Sequence, residues 1–164
     1  MTALWTMSYN VRYDTPGDGD DVWDERRDAV ADIVRSRRPA LVGFQEPLPH
    51  QLTDLRERLP AYEIVGRGRN ADGGGERSPI GFRRDRFSVL DRETLWLSET
   101  PENPGSVGWD AELPGSRPGF GFATNKLGGR SPTVTRISHT RVSEHGAKRR
   151  PCSLDDLTAT IRRF

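Results

Sequence analysis

Leu41-Val42-Gly43-Phe44-Gln45-Glu46 is an apolar run that closes on an amide and a carboxylate and is followed at once by Pro47. A short hydrophobic run with a breaker behind it reads as a buried strand. Strand ends in α/β folds are where ligands and catalytic groups collect, so a carboxylate placed there can face a site instead of bulk water. Glu46 is therefore the first candidate for a metal ligand. The alternative is a strand-terminal glutamate that simply reaches solvent.

Working outward, the alternating run Leu4 to Tyr13 predicts a second strand that delivers another polar group, Asn10. Between the two strands, Trp23, Val30, Ile33 and Val34 recur at helical spacing, which predicts an amphipathic helix over Val22 to Arg35, closed before Pro39. The run Asp14 to Asp21 is turn-rich and acidic. It lacks the register of alternating ligands, central Gly and closing Glu of an EF-hand, and reads as a solvated loop. On the other side of Glu46, Leu52, Leu55 and Leu59 mark a shorter helix over Gln51 to Leu59, ended by Pro60, and Tyr62 to Val65 reads as a strand. Gly66 to Arg77 is a Gly-rich charged loop without the Lys-Ser/Thr pair or following helix of a phosphate-binding loop. It is either a plain surface loop or one that touches substrate. Ile80 to Phe82 and Phe87 to Leu90 read as paired strands joined by the charged turn Arg83 to Arg86, and Thr94 to Leu97 as another short strand. Alternation of this kind suits a layered α/β fold.

A length of 164 residues allows one domain, and a net charge of +1 argues against a strongly electrostatic nucleic-acid binder. The hydrophobic fraction of 33% is low for a self-sufficient core of this size. A single cysteine, Cys152, excludes an internal disulfide and a cysteine-based zinc site. No basic segment leads into a long apolar one, and no apolar run approaches a membrane span, so a cytoplasmic protein without a signal peptide is expected, with a trimmed secreted form as the alternative. Of the 25 basic residues only Lys126 and Lys148 are lysine, an arginine bias that fits a GC-rich genome.

The order Ser8-Tyr9-Asn10-Val11-Arg12, Trp23 to Arg27, then Pro39 to Glu46 resembles the endonuclease/exonuclease/phosphatase superfamily. The resemblance continues through Ser78 to Phe87, Thr94 to Pro101, Gly108-Trp109-Asp110-Ala111 and Leu113-Pro114, the first two thirds of the chain, and then stops. It implies an α/β fold, namely the N-terminal portion (1–114) of a four-layer α/β/β/α sandwich. It also implies phosphoester hydrolysis with Mg2+ or Mn2+, a hard cation that takes oxygen ligands and keeps several waters. Residue by residue, Glu46 would be the metal ligand and Asn10 the side chain touching the metal-bound water or the phosphate. Glu76 would border the site as a further catalytic candidate. Arg26 or Arg27 would brace the site from the first helix, with a solvated helix face the expected role of at least one of them. The resemblance also favours a substrate-touching role for Gly66 to Arg77. Substrate class, among nucleic acids, lipid headgroups and inositol phosphates, stays open, as does oligomeric state.

The family's later motifs are missing. Anchored on Val142-Ser143-Glu144-His145, the family's Asn/Thr-His-Leu-Asp-His strand would place its groups on Ser138, Thr140 and Arg141, and His139 and His145 stand in the wrong register to replace them. Gly115 to Arg130 is Gly-, Ser- and Arg-rich and reads as a loop too long for a compact domain. A slip of reading frame after Pro114 would account for the irregular segment 115–141, because permitted codons re-read out of frame give a run containing Thr-Trp, as the family would have there. The remaining segment, 142–164, carries a short helix from Ser153 to Phe164 with Ser153 as its N-cap. The expectation is a truncated hydrolase, weakly active or inactive. The alternatives are a non-catalytic phosphate- or metal-binding remnant and a non-functional gene fragment.

Overall fold

Val42 and Phe44 point to one side of the opening stretch and Leu41 to the other, as a two-residue period requires, and all three are buried. A side chain buried on each face means that the strand lies inside the fold. The computed structural model describes residues 4–108, 111–112, 114–124 and 134–138, the last two ranges from 116 onward by backbone path alone. Its elements run β1 (Thr6–Asn10), a 3-10 helix (Pro16–Asp21), α1 (Trp23–Arg37), β2 (Leu41–Gln45), α2 (Pro49–Arg58), β3 (Tyr62–Val65), β4 (Ile80–Arg83), β5 (Phe87–Trp96), β6 (Ser116–Thr124) and β7 (Val134–Ser138).

Two sheets result. One has the order β1-β2-β4-β3, the other β5-β6-β7. β1 runs parallel to β2, from Thr6 opposite Leu41 to Asn10 opposite Gln45, so α1 serves as the crossover that a parallel pair needs. Against one face of the first sheet, α1 and α2 bury Val30, Ala31, Val34, Leu52 and Leu55 on Val42, Phe44, Tyr62 and Ile64. Each buried valine, leucine or isoleucine among them contributes roughly 1.5–3 kcal/mol on leaving water. On the other face Leu41, Val65, Ile80 and Phe82 pack with Phe87 and Val89 of β5. Helices, a sheet and the start of a second sheet are thus layered as the N-terminal portion of an α/β sandwich. Gly81 sits where the helix-facing core is tightest; a Cβ there would lie 2.8 Å from Val42 and 3.1 Å from Phe44.

Helix ends follow the chain chemistry. α1 stops where Arg38 adopts a left-handed φ of 47° ahead of Pro39, while its N–H still donates to Val34 O. Among the described residues, no helix is long and apolar enough to cross a membrane.

Several local expectations are corrected. The Arg83–Arg86 turn does not close a hairpin, because β4 is bonded on one side to β2 and on the other to β3, leaving no edge for β5. β5 instead runs unbroken to Trp96 and pairs with β6. Ser116–Thr124, inside the stretch Gly115 to Arg130 that reads as loop, is a strand, and Val134–Ser138, within the irregular segment 115–141, is another, since β5 and then β6 offer them a backbone ladder that sequence patterning does not reveal. Ile33 is 41% exposed, and Ala31 takes the core position. The acidic run is partly a 3-10 helix, with Asp18 held by Arg12 and Asp14 by the Trp23 N–H. Trp109, Asp110, Leu113, His139, His145, Thr140, Arg141 and the expected helix Ser153 to Phe164 lie outside the described residues.

Candidate functional site

Because β1 and β2 are parallel and in register, their last residues arrive side by side, and the carboxyl ends of both strands share one edge of the sheet. Asn10 Nδ2 donates to Glu46 Oε1 at 3.0 Å across that edge. Asn10 Oδ1 accepts the Arg12 N–H at 2.7 Å, so the amide orientation is set from both ends. Glu46 Oε2 lies 3.4 Å from the Tyr13 N–H. The structure brings together the two residues singled out first.

The backbone is bent to achieve this. Arg12 and Glu46 both occupy the left-handed region, at φ 54° and 70°, where non-glycine residues cost roughly 1–2 kcal/mol each. Strain of this kind persists only where neighbours over-determine it. Here they do. Arg26 on α1 donates to the carbonyls of Asp21 (2.8 Å), Arg12 (3.0 Å) and Val11, a planar fork reaching three points on the turns that enclose the β1 exit. Its guanidinium also lies 5.3 Å from the centre of the Trp23 ring. Arg27, half-buried, pairs with Asp24 at 2.8 Å and lies 3.8 Å from Asp54 of α2. Of the two arginines, Arg26 is the one that reaches the turns at the β1 exit.

Gln51 was not singled out from the sequence, yet it is fully buried and holds the same turn from below. Its Oε1 accepts the N–H groups of Leu48 and Asp14, both at 3.0 Å, and its Nε2 donates to Arg12 O at 2.9 Å. One amide thereby joins the start of α2 to the exit of β1. The only sequence signal was a glutamine three residues after a helix start.

Glu76 is placed in the loop between β3 and β4, its carboxylate paired with Arg69 Nη1 at 3.2 Å. The next residue, Arg77, donates its N–H to Pro47 O at 3.2 Å, so this arm of the loop runs alongside the chain just past Glu46. Arg77 itself is pulled below its ordinary basicity by burial and by nearby Arg56. Asp18 is held below the usual carboxylate range by the Arg12 hydrogen bond, with Arg26 adding to the effect.

The donors at the β1–β2 edge are a carboxylate and a carboxamide, all hard oxygen and amide groups. This set suits Mg2+ or Mn2+, which bind through one or two carboxylates and fill other positions with water and substrate oxygens. Among the described residues no three His, Cys, Asp or Glu side chains come together, and the carboxylate at this edge is that of Glu46.

No protein-family model matches the sequence, and no curated protein does. Solved structures do. An endonuclease/exonuclease/phosphatase from Bacteroides vulgatus superposes with a TM-score of 0.77 at 34% identity, over 85% of this chain and 53% of its own. A family protein from Bacteroides thetaiotaomicron gives 0.76 at 35% identity, over 84% and 51%. A mannosyl-6-phosphatase from the same organism gives 0.75 at 35%, again over 84% and 51%. The chain spans about half the length of these structures.

Proposed function

We infer, from the premise that the chain belongs to the endonuclease/exonuclease/phosphatase superfamily, that its β1–β2 edge is the phosphate-handling half of a divalent-metal-dependent phosphoester hydrolase site. The observation that carries this reading is the Asn10–Glu46 hydrogen bond at the ends of two parallel strands. Glu46 would hold Mg2+ or Mn2+. When bound, such an ion stabilises charge developing on the phosphoryl oxygens. Asn10 keeps a second amide N–H beyond the one given to Glu46, available to a phosphate oxygen or a water. Arg26 and Gln51 hold the Val11–Asp14 turn that positions both. Glu76 borders the site as a further polar group. A similar structure named a mannosyl-6-phosphatase supports hydrolysis of a phosphate ester.

Turnover is proposed to be low. The family's histidine-bearing strand maps onto Ser138, Thr140 and Arg141, none of which can act as its general base, and losing one member of a cooperative site removes most of its rate. The test is hydrolysis of an aryl phosphodiester and an aryl phosphate with and without Mg2+, comparing the chain with Glu46→Ala. Metal-stimulated hydrolysis that falls ~100-fold in the variant, about 3 kcal/mol of charge stabilisation, supports the reading. Hydrolysis indifferent to both metal and Glu46 sinks it. A second reading, a phosphate- or metal-binding remnant without catalysis, is favoured if Mn2+ binds through Glu46 while no hydrolysis is detected.

A further inference from the structure

Arg77 carries a charge to which the described residues supply no counter-ion. Its side chain is half-buried in the loop before β4, where Nη2 donates to Gly73 O at 3.2 Å and Nε, shielded from solvent, meets no acceptor. A guanidinium does not give up its proton inside a protein, so the cation stays. The carboxylates beside it pair elsewhere. Glu76, the preceding residue, pairs with Arg69, and Glu63 of β3 with Arg84. The charge that acts on Arg77 comes from Arg56 of α2, a second cation, which adds to burial in lowering its basicity.

Arg56 is held but only partly used. Its Nε and Nη2 both donate to Ile64 O, at 3.3 and 3.0 Å, which fixes the guanidinium against β3 and keeps the N–H groups of Nη1 available. Backbone carbonyls thus anchor both arginines, and neither is free to swing away from the other. Arg77 is the half-buried member and Arg56 the exposed one, so a ligand shared by the two can arrive from solvent.

Charge and donor geometry narrow that ligand. Two guanidinium groups repel a metal cation, and a carboxylate neutralises one charge of the two. A tetrahedral dianion of the phosphate type neutralises both, and its oxygens accept from two planar forks. The pair belongs to the face of the first sheet that the helices cover, because α2 buries Leu52 and Leu55 there. Met7 and Tyr9 pack against the same core, so Asn10 leaves β1 on the opposite face. An oxyanion at Arg77 is therefore separate from a phosphate at Asn10 and Glu46. It is close in the chain path all the same, since the Arg77 N–H donates to Pro47 O, directly after Glu46.

We propose that Arg56 and Arg77 form a binding site for a phosphate-type oxyanion on the helix-covered face of the sheet, apart from the edge that carries Glu46. The site stands on these two side chains and not on the hydrolase reading. The experiment is calorimetric titration of the full chain with sodium phosphate near neutral pH, in EDTA so that no metal bridges phosphate to Glu46, with sodium chloride holding the ionic strength. Phosphate binds, and sodium acetate binds ~10-fold more weakly or less. Arg77→Met, which keeps an apolar stem, and Arg56→Ala, at an exposed position where folding is least at stake, each weaken phosphate binding ~10-fold through lost charge-assisted hydrogen bonds, whereas Glu46→Ala retains it. Phosphate also raises the urea midpoint of the unaltered chain more than that of Arg56→Ala. Absence of phosphate binding, equal affinity for acetate, binding that both arginine variants keep, or a loss confined to Glu46→Ala overturns the proposal.

Discussion

Asn10 Nδ2 donates to Glu46 Oε1 at 3.0 Å, joining residues 36 apart in sequence at the shared ends of two parallel strands. If this bond presents Glu46 to a cation, changing Asn10 alters metal affinity without touching the ligand itself. Asn10→Ala is expected to weaken Mn2+ binding about 10-fold, the usual effect of losing a group that orients a ligand. Asn10→Asp sets two carboxylates in hydrogen-bond range, one of which then keeps a proton in the metal-free protein, so its Mn2+ binding gains a steep pH dependence. Titration followed by electron paramagnetic resonance reads both, and identical affinity in all three proteins would reduce Asn10 to a cap for the Arg12 N–H.

Gln51 is the second structural determinant of the edge. Replacing it by leucine keeps the volume and removes three hydrogen bonds, leaving the Asp14 and Leu48 N–H groups without a partner while the Arg12 carbonyl keeps its bond from Arg26. With roughly 1 kcal/mol or more for each group left unsatisfied, Gln51→Leu is expected to cost ~2–4 kcal/mol in a urea melt. A loss below about 1 kcal/mol would show that water takes over these bonds.

What the sequence made legible, and what it hid, divides by the range of the interactions. The stretch Leu41 to Glu46 is readable because burial of both faces writes a continuous apolar run and Pro47 ends it. The helices are readable from Val30, Val34, Leu52 and Leu55, although Ile33 shows that periodicity fixes a helix more firmly than its rotation. A β4–β5 hairpin is what the local sequence predicts because Arg83 to Arg86 is a sound turn, and only the distant strands β2 and β3 exclude it. At the site, Asn10 and Glu46 stand at strand ends and can be found from pattern and resemblance. Gln51 bonds to residues 37 and 39 positions away, and nothing in its neighbourhood marks it as buried.

Gly81 gives a packing prediction. A methyl group there would press on Val42 and Phe44, side chains fixed in the helix-facing core beneath a strand bonded on both sides. Gly81→Ala is expected to destabilise by ~1–3 kcal/mol, with the loss read from chemical denaturation. Val42→Ala introduced together with it should recover part of that loss by removing the contact, since neighbouring substitutions do not add.

Acid sensitivity follows from Asp18, Asp28 and Asp85. Each carboxyl is held below its ordinary value of 3.8 by a hydrogen bond from an arginine, respectively Arg12, Arg58 and Arg83. A depressed folded value means that the unfolded chain binds protons first as pH falls. The stabilisation is therefore complete above 3.8 and is lost as pH drops through the lower folded value. Urea midpoints measured from pH 7 to pH 2.5 should fall in this acid range, and Asp18→Asn should flatten the decline. An unchanged slope in that variant would assign the acid sensitivity to other carboxyls.

Arg26 separates charge from shape at the site. Its planar fork reaches the carbonyls of Asp21, Arg12 and Val11, which a single ammonium on a flexible stem cannot do. Arg26→Lys keeps the charge, so a purely electrostatic role predicts no change in Mn2+ affinity. If instead the fork holds Arg12 in its left-handed turn, Arg26→Lys should weaken Mn2+ binding ~10-fold, comparable to Asn10→Ala, because both act on the turn between Asn10 and Tyr13. The double variant discriminates further. Two changes that loosen one turn should together cost less than the product of their separate effects, whereas independent contributions would multiply.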